Sequence, residues 1–232
     1  MFEESIDQLR ISLLLSENAK NKRVFAMVSA VSGEGKTSIA SQLAVSVART
    51  SHEPILLIDA DMRAPSLHHV FHVENSPGLA EVLSGEATLD QAIVRWDDYV
   101  HVLPAGHLAQ NPNVLVTNER MRKLFDELKA RYPYVIVDCP PLLAATEAYV
   151  MAREADGAML CVMRDVSRSI QVRKAYERLC AVGADTVGLV LSGVPTYEYA
   201  YRYGGYTRYY KRYYREEFVE NTRPTGGQTA GS

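Results

Sequence analysis

Six short, continuously apolar runs decide how this chain can fold. In chain order they read RVFAMVS, PILLIDAD, YVHVLPAG, YPYVIVDCPP, GAMLCVM and VGLVLSGV. Apolar runs of this length without alternation are typical of strands that are buried on both faces of a parallel sheet. Segments with helical periodicity lie between them, among them SIASQLAVSVART and ERMRKLFDELKARY. Because strands and helices alternate in this way, the sequence predicts an α/β fold in which a doubly wound, mostly parallel sheet is flanked by helices.

The 232 residues are predicted to form one large domain followed by two short segments. The domain spans residues 1–195 and opens with an amphipathic helix over residues 2–16, whose apolar residues recur at helical spacing. Residues 196–215 form a tyrosine cluster, and residues 216–232 are polar and glycine-rich, so we expect disorder there. A hydrophobic content of 47% is enough for a well-buried core in a domain of this size.

Charge and cysteine content argue against several classes of protein. The formal net charge of -3 offers no bulk attraction for nucleic acid or an anionic membrane, so we expect no nucleic-acid partner. Three cysteines lie far apart without a CxxC pair, which indicates neither a disulfide framework nor a zinc site. The segment MFEESIDQLR does not follow the basic-then-apolar plan of a secretory signal, and no apolar run reaches about eighteen residues. We therefore expect a cytoplasmic domain.

A glycine-bearing loop lies between the first predicted strand of the sheet and the helix that follows it. It reads SAVSGEGKTS and has the spacing of a phosphate loop (P-loop, Walker A motif), with Ala30 in place of the leading glycine. In such a loop backbone N–H groups surround phosphate oxygens, Lys36 would bridge the outer phosphates, and Thr37 would offer its hydroxyl to Mg²⁺. The predicted nucleotide-binding residues are Ser32, Gly33, Glu34, Gly35, Lys36, Thr37 and Ser38. ATP and Mg²⁺ are the expected cofactors.

Carboxylates follow two further strands. The second apolar run ends in ILLIDADMRAP, where Asp59 and Asp61 are two residues apart and project to one side if the strand conformation persists. The run YVIVD ends at Asp138, which fits a Walker B motif, in which an apolar strand delivers a carboxylate to the metal. Because ligands of open α/β sheets bind beyond the carboxyl ends of the strands, these groups are expected near the phosphate loop. We predict that Thr37, Asp59 and Asp138 hold the metal.

These motifs together resemble the catalytic domain of the bacterial tyrosine kinases (BY-kinases), which have a P-loop fold. The resemblance rests on SGEGKTS, LLIDADMRAP and VIVDCPP, followed by a terminal tyrosine cluster, and it spans nearly residues 1–214. The DxDxRxP form of residues 59–65 is its most specific part. It implies an ATP-dependent protein-tyrosine kinase. The implied catalytic residues are Lys36, Asp59, Asp61 and Arg63.

The resemblance also implies how these residues divide the work. Lys36 would bind the phosphates, and Asp59 would help to position the metal and activate the incoming phenol, with Asp61 assisting. Asp138 would hold the metal through water. Arg63 would orient its loop or contact phosphate. Phosphoryl transfer depends mainly on in-line positioning and on neutralising charge, which agrees with such a division.

The tyrosine cluster takes the role of substrate under this resemblance. The nine expected autophosphorylation sites are Tyr197, Tyr199, Tyr201, Tyr203, Tyr206, Tyr209, Tyr210, Tyr213 and Tyr214. In the family the tail enters the site of a neighbouring subunit within a ring, which implies a homo-oligomer that phosphorylates itself in trans. Family members control the synthesis and export of capsular or extracellular polysaccharide. Each phosphate adds about −1.5 to −2 charges, so repeated modification would make the tail acidic and favour its release.

Two positions depart from the family pattern. The first helix of the family carries an ExxRxxR pattern that links subunits; here Glu4 and Arg10 match, whereas Asp7 reverses the charge at the middle position, which leaves the ring open to question. The final strand commonly ends in Asn beside the adenine, but this chain has Ser192, so adenine recognition is expected to rest on other groups, including the backbone. The family's membrane-spanning activator, fused or separate, would place the domain at the cytoplasmic face of the bacterial inner membrane.

Two other functions compete with the kinase. Partitioning or septum-positioning ATPases of the deviant-Walker class use ATP to dimerise, but their KGGxGKT loop has a lysine where this chain has Val31. That class also gives no reason for the terminal tyrosines. The other alternative is a tail that binds single-stranded nucleic acid, since arginines and lysines alternate with tyrosines between residues 197 and 214. The acidic balance of the rest of the chain argues against it.

Overall fold

The structure is a computed structural model that describes residues 2–194, with the side chain of Phe2 excepted. The predicted tyrosine cluster and polar tail lie outside the described residues. The strands are β1 (Val24–Ser29), β2 (Ile55–Asp59), β3 (Val94–Arg95), β4 (Val100–Leu103), β5 (Val135–Asp138), β6 (Gly157–Met163) and β7 (Thr186–Ser192). The helices are α1 (Phe2–Leu15), α2 (Lys36–Ser51), α3 (Leu67–Phe71), α4 (Leu79–Ser84), α5 (Leu89–Ala92), α6 (Pro112–Leu115), α7 (Asn118–Arg131), α8 (Glu147–Glu154) and α9 (Ser169–Ala181).

The strands form one sheet in the order β3-β4-β2-β5-β1-β6-β7. Neighbouring strands are parallel except β3, which is antiparallel to β4. The predicted mostly parallel α/β fold is therefore confirmed, and each of the six apolar runs contains a strand. The short edge strand β3 was missed, because two residues cannot show a periodic pattern. β1 lies inside the sheet, between β5 and β6, and this places the phosphate loop at an interior position of the carboxyl edge.

The residues of β1 show how the inner strands of the sheet are buried on both faces, whereas the edge strand β7, also predicted to be buried, is only partly covered. Val24, Ala26 and Val28 belong to one core cluster, whereas Phe25 and Met27 belong to the other. Successive side chains of a strand point to opposite faces, so a strand that packs on both sides must be apolar at every position. The first cluster is covered by α4 to α9 and the second by α1, α2 and α3.

Helix α1 confirms the predicted N-terminal amphipathic helix and packs against α2. Ile6 and Leu13 are buried on its inner side. The hydroxyl of Ser46 on α2 donates a hydrogen bond to Oδ1 of Asp7 at 2.5 Å and accepts one from Nε of Arg10 at 3.0 Å. Asp7 and Arg10, two positions of the subunit-linking pattern, therefore both contact α2 of their own chain.

The short helices α3 to α6 lie in the connections after β2 and β4 and were not predicted. None has more than six residues, which is too short for helical periodicity to show in the sequence. The predicted boundary near residue 195 falls at the end of the described part and stays a prediction. Among residues 2–194, no helix combines the length and the apolar composition needed to cross a bilayer.

Candidate active site

The phosphate loop joins the buried strand β1 to the N-terminus of α2. Gly33 and Gly35 have φ angles of +83° and +76°, in the left-handed region that favours glycine. A Cβ atom on Gly35 would also lie 2.8 Å from Cε of Met163, so the loop passes close to the end of β6. Helix α2 begins at Lys36, which brings the positive end of its dipole to the loop.

Lys36, Thr37 and Asp138 meet at this edge of the sheet. Nζ of Lys36 lies 2.5 Å from Oδ1 of Asp138, and Oγ1 of Thr37 donates to Oδ2 of the same carboxylate at 2.6 Å. Burial disfavours the ammonium form of Lys36, but the attraction of Asp138 outweighs it and raises the pKa of this lysine. The structure thus brings together the Walker A and Walker B residues that the sequence places about a hundred positions apart.

Asp59 ends strand β2 directly beside Asp138, with which it is in register across the pair of parallel strands. Its carboxylate is fully buried and accepts three backbone N–H bonds, from Asp61 at 3.2 Å, Ser66 at 2.8 Å and Leu67 at 2.9 Å. Burial raises the pKa of Asp59 to about 6, although the N–H groups of Leu67 and Ser66 act in the opposite direction. Oδ2 of Asp59 therefore holds the start of α3, while Oδ1 accepts the N–H of Asp61.

Asp61 lies two residues beyond the end of β2 and is only partly buried. Its Oδ1 accepts the backbone N–H of Ala64 at 3.1 Å, which closes a tight turn. Burial raises the pKa of Asp61, and the charge of Lys36 is the largest of the effects that lower it. Asp61 therefore lies within electrostatic reach of Lys36 and is more open to solvent than Asp59.

Among the described residues, the hydrogen bonds of the Arg63 side chain go to Glu147 and not to the phosphate loop. Its guanidinium donates from Nε to Oε1 of Glu147 at 2.5 Å and from Nη2 to Oε2 at 3.3 Å. Glu147 begins α8 and is almost completely buried. The sequence prediction missed Glu147, because a contact across 84 positions leaves no local pattern.

The side chain of Glu34 turns inward, although Glu34 lies in the middle of the phosphate loop. It is 1% exposed and accepts the backbone N–H of Val31 at 2.8 Å. Its other oxygen accepts a hydrogen bond from the hydroxyl of Ser167, in the turn between β6 and α9. Ser167 is a second residue of the site that the sequence prediction missed. Ser32, Gly33 and Ser38, by contrast, are exposed.

Ser192, which stands where the family commonly has Asn, lies at the end of β7. Its hydroxyl donates to the carbonyl of Val162 at 3.3 Å. The same oxygen would lie 3.4 Å from a Cβ placed on Gly35, so the end of β7 borders the phosphate loop. The nine predicted substrate tyrosines begin at Tyr197 and lie outside the described residues.

The donor set fits Mg²⁺ in its chemistry. Thr37 and Asp138 offer hard oxygen atoms, and the carboxylate of Asp59 lies next to them. Within residues 2–194, no group of three or more His, Cys, Asp or Glu side chains is arranged to hold a metal by itself. Mg²⁺ is commonly bound by one or two carboxylates together with substrate phosphates, so a site of this kind is completed by the nucleotide.

The sheet order and the phosphate loop together define the class, a P-loop ATPase-like α/β protein. A family model described as an AAA domain matches residues 22–164, so the chain belongs to that family. The solved cell division ATPase MinD of Pyrococcus furiosus shares the fold, with a TM-score of 0.62 and 25% identity over 73% of this chain and 71% of that chain.

More similar proteins define the particular branch. The tyrosine-protein kinase YwqD of Bacillus subtilis is 32% identical over 191 residues, which cover 82% of this chain and 80% of that protein. The tyrosine-protein kinase etk of Escherichia coli is 32% identical over 192 residues, but these cover only 26% of that longer protein. The solved kinase domain of Escherichia coli tyrosine kinase ETK aligns with a TM-score of 0.77 and 31% identity, over 83% of this chain and 75% of that chain. The chain belongs to the family of bacterial tyrosine-protein kinases.

Proposed function

We propose that this domain transfers the γ-phosphoryl group of ATP to tyrosine hydroxyls, chiefly those of the tyrosine cluster of a neighbouring copy. The observation that supports this most directly is the meeting of Lys36 and Thr37 with Asp138, beside Asp59, at the carboxyl edge of the sheet. An ammonium, a hydroxyl and carboxylates are the groups that phosphoryl transfer requires for positioning and for neutralising charge.

Lys36 has two roles in this proposal. In the structure its ammonium pairs with Asp138 and offsets the burial of that carboxylate. When phosphates occupy the loop, Lys36 turns to the phosphate oxygens and stabilises their charge, together with the backbone N–H groups at the start of α2. Thr37 and Asp138 are the proposed holders of Mg²⁺, which when bound neutralises charge on the phosphates.

We assign the proton acceptor to Asp61. In the proposed step the phenol oxygen forms a bond to the γ-phosphorus, the bond from that phosphorus to the bridging oxygen breaks, and ADP leaves. The phenol proton passes to the carboxylate of Asp61. Asp59 is less suited to this role because three N–H groups already occupy its oxygens. The raised pKa of Asp61 makes it a better proton acceptor than an ordinary exposed aspartate.

The wider role is also a proposal. We infer that the domain acts as a homo-oligomer, in contact with a membrane-spanning activator at the cytoplasmic face of the inner membrane, and that it regulates the synthesis and export of capsular or extracellular polysaccharide. Membership of the kinase family supports this role. Expression of the wild type and of Lys36→Met in a host that lacks its own tyrosine kinase of this family would test it, with exported polysaccharide as the readout.

The kinase proposal is tested by mapping phosphate on the full chain after incubation with ATP and Mg²⁺. Wild-type protein is expected to carry phosphotyrosine between Tyr197 and Tyr214, and Lys36→Met is expected to carry none. Lys123→Met is the matched control, because Lys123 is exposed and pairs only with Glu119 on α7 among the interactions described. Phosphate that survives Lys36→Met, or that falls on serine, would contradict the proposal.

A mixing experiment separates transfer between chains from transfer within one chain. A tail-free enzyme comprising residues 1–195 is mixed with full-length Lys36→Met, which retains the tail but lacks the phosphate-binding lysine. Phosphotyrosine on the Lys36→Met chain is expected if the reaction runs in trans. Consumption of ATP without phosphotyrosine in any chain would favour the ATPase alternative.

A further inference from the structure

We propose that Glu147 is a positioning residue for phosphoryl transfer, which acts through Arg63 to fix the turn that carries Asp61. The proposal rests on the kinase function proposed above. It assigns a role to a buried carboxylate that the phosphate loop and the two aspartate motifs do not include.

The contact between Arg63 and Glu147 is bidentate. Two nitrogen atoms of the guanidinium face two oxygen atoms of the carboxylate, at 2.5 Å and 3.3 Å. Paired N–H···O bonds of this kind fix the plane of the guanidinium as well as its distance. The exposed fractions of the two side chains are 45% for Arg63 and 1% for Glu147, so the carboxylate is the rigid partner and the arginine is the group that it holds.

Glu147 lies on the segment that follows the Walker B strand β5. Glu147 lies in the first turn of α8, where the helix dipole favours a negative charge. The segment that leads into α8 begins at Asp138, at the end of β5. Glu147 is therefore anchored to the same segment as the Walker B carboxylate.

Arg63 belongs to the facing loop. In that loop the backbone N–H of Ala64 bonds both the carbonyl oxygen of Asp61 at 3.2 Å and Oδ1 of Asp61 at 3.1 Å, so Arg63 lies within the turn that holds the Asp61 carboxylate. β2 and β5 are neighbouring strands. The ion pair thus ties the loop after β2 to the segment after β5, and so fixes Asp61 relative to Asp138.

A purely structural ion pair and a positioning pair have different consequences. Loss of a structural contact lowers the unfolding free energy. Nucleotide binding and turnover then fall together, because a smaller fraction of the protein is folded. Loss of a positioning contact leaves nucleotide binding intact, because the phosphate loop is a separate element, and lowers kcat. A small displacement of a proton acceptor is enough for this effect.

The test compares Glu147→Gln, Arg63→Gln and the double variant in the full-length chain. Glu147→Gln keeps the size of the side chain and removes its charge. We expect kcat for phosphorylation of full-length Lys36→Met to fall at least about tenfold in each variant, with affinity for ADP unchanged. The double variant is expected to lose no more than either single variant, because both remove the same contact. Arg173→Gln is the control, since it breaks the exposed Arg173–Glu177 pair on α9 and is expected to leave kcat unchanged.

A second measurement does not depend on activity. Amide hydrogen exchange of residues 61–64 is expected to be faster in Glu147→Gln than in the wild type or in Arg173→Gln. Three results would each overturn the proposal. Glu147→Gln could keep the wild-type kcat, amide exchange in this turn could stay unchanged, or ADP affinity could fall by the same factor as kcat. If the wild type itself forms no phosphotyrosine, the kinase function fails, and exchange of the turn then decides whether Glu147 anchors Arg63.

Discussion

Nζ of Lys36 and Oδ1 of Asp138 are 2.5 Å apart, in a pair whose side chains are only 8% and 0% exposed. The pair joins the start of α2 to the end of β5. Removal of one member leaves a charge buried without its counter-charge, which costs far more than loss of an exposed pair. The two residues expected to act on the phosphates and the metal therefore also stabilise each other.

This pairing predicts a non-additive effect on stability. Lys36→Met is expected to lower the free energy of unfolding by about 3 kcal/mol, because the hydrogen bond from Thr37 is then the one side-chain contact that the described residues still offer the carboxylate of Asp138. Lys36→Met combined with Asp138→Asn is expected to recover part of that loss, since no charge remains buried. Urea unfolding of the single and double variants measures the difference. Strictly additive losses would show that the two groups are not coupled.

The buried carboxylate of Asp59 predicts a dependence of stability on pH. Burial raises the pKa of Asp59 from 3.8 to about 6, so between these values the folded chain holds more protons than the unfolded chain. The contribution of Asp59 to stability is therefore fully present below about pH 4 and is lost as pH rises through about 6, a change of roughly 3 kcal/mol. Asp59→Asn is expected to remove this step in urea unfolding with EDTA present. The same pH dependence in both proteins would contradict the assignment.

The two aspartates of the second motif are predicted to differ in their effect on catalysis. Asp61→Asn is expected to lower kcat about a hundredfold or more, because no carboxylate then accepts the phenol proton, while affinity for ADP stays unchanged. Asp59→Asn is expected to act mainly on stability, because it alters the hydrogen bonds that Asp59 accepts at the start of α3. Steady-state kinetics with full-length Lys36→Met as acceptor, together with ADP titration, separate the two. If Asp61→Asn keeps the wild-type kcat, Asp61 is not the proton acceptor and another residue must have that role.

The contact between Ser167 and Glu34 predicts that the turn after β6 supports the phosphate loop. Ser167→Ala removes the hydroxyl that donates a hydrogen bond to the buried carboxylate of Glu34. The backbone N–H of Val31 is the donor to Glu34 that the described structure still provides. A buried polar group that loses a hydrogen bond costs about 1–3 kcal/mol, so weaker ADP binding and a lower unfolding free energy are expected. Ser167→Thr keeps a hydroxyl and serves as the control. Equal ADP affinity in the alanine and threonine variants would show that Ser167 does not support the loop.

The motifs predicted which side chains meet at the carboxyl edge of the sheet, because each motif lies at the end of a buried strand. Lys36, Thr37 and Asp138 meet as expected, since parallel strands bring their carboxyl ends to one edge. The partners of the remaining groups could not be predicted in this way. Arg63 pairs with Glu147, and Asp7 accepts a hydrogen bond from Ser46, in contacts that span 84 and 39 positions. These contacts depend on how the helices pack, and the local spacing of residues in the sequence does not predict helix packing.

The order of apolar runs and the three strand-end motifs by themselves determined the α/β class, the phosphate loop and the kinase family. These features are local, since strand burial and loop geometry impose residue types at fixed spacing. The tertiary structure alone decided which carboxylate is left open for chemistry. Backbone N–H groups engage both oxygens of Asp59, two at the start of α3 and one from Asp61, whereas Asp61 stays partly exposed near Lys36. The reason is that burial and hydrogen bonding depend on how distant segments pack. The spacing of the two aspartates in the sequence does not predict that packing.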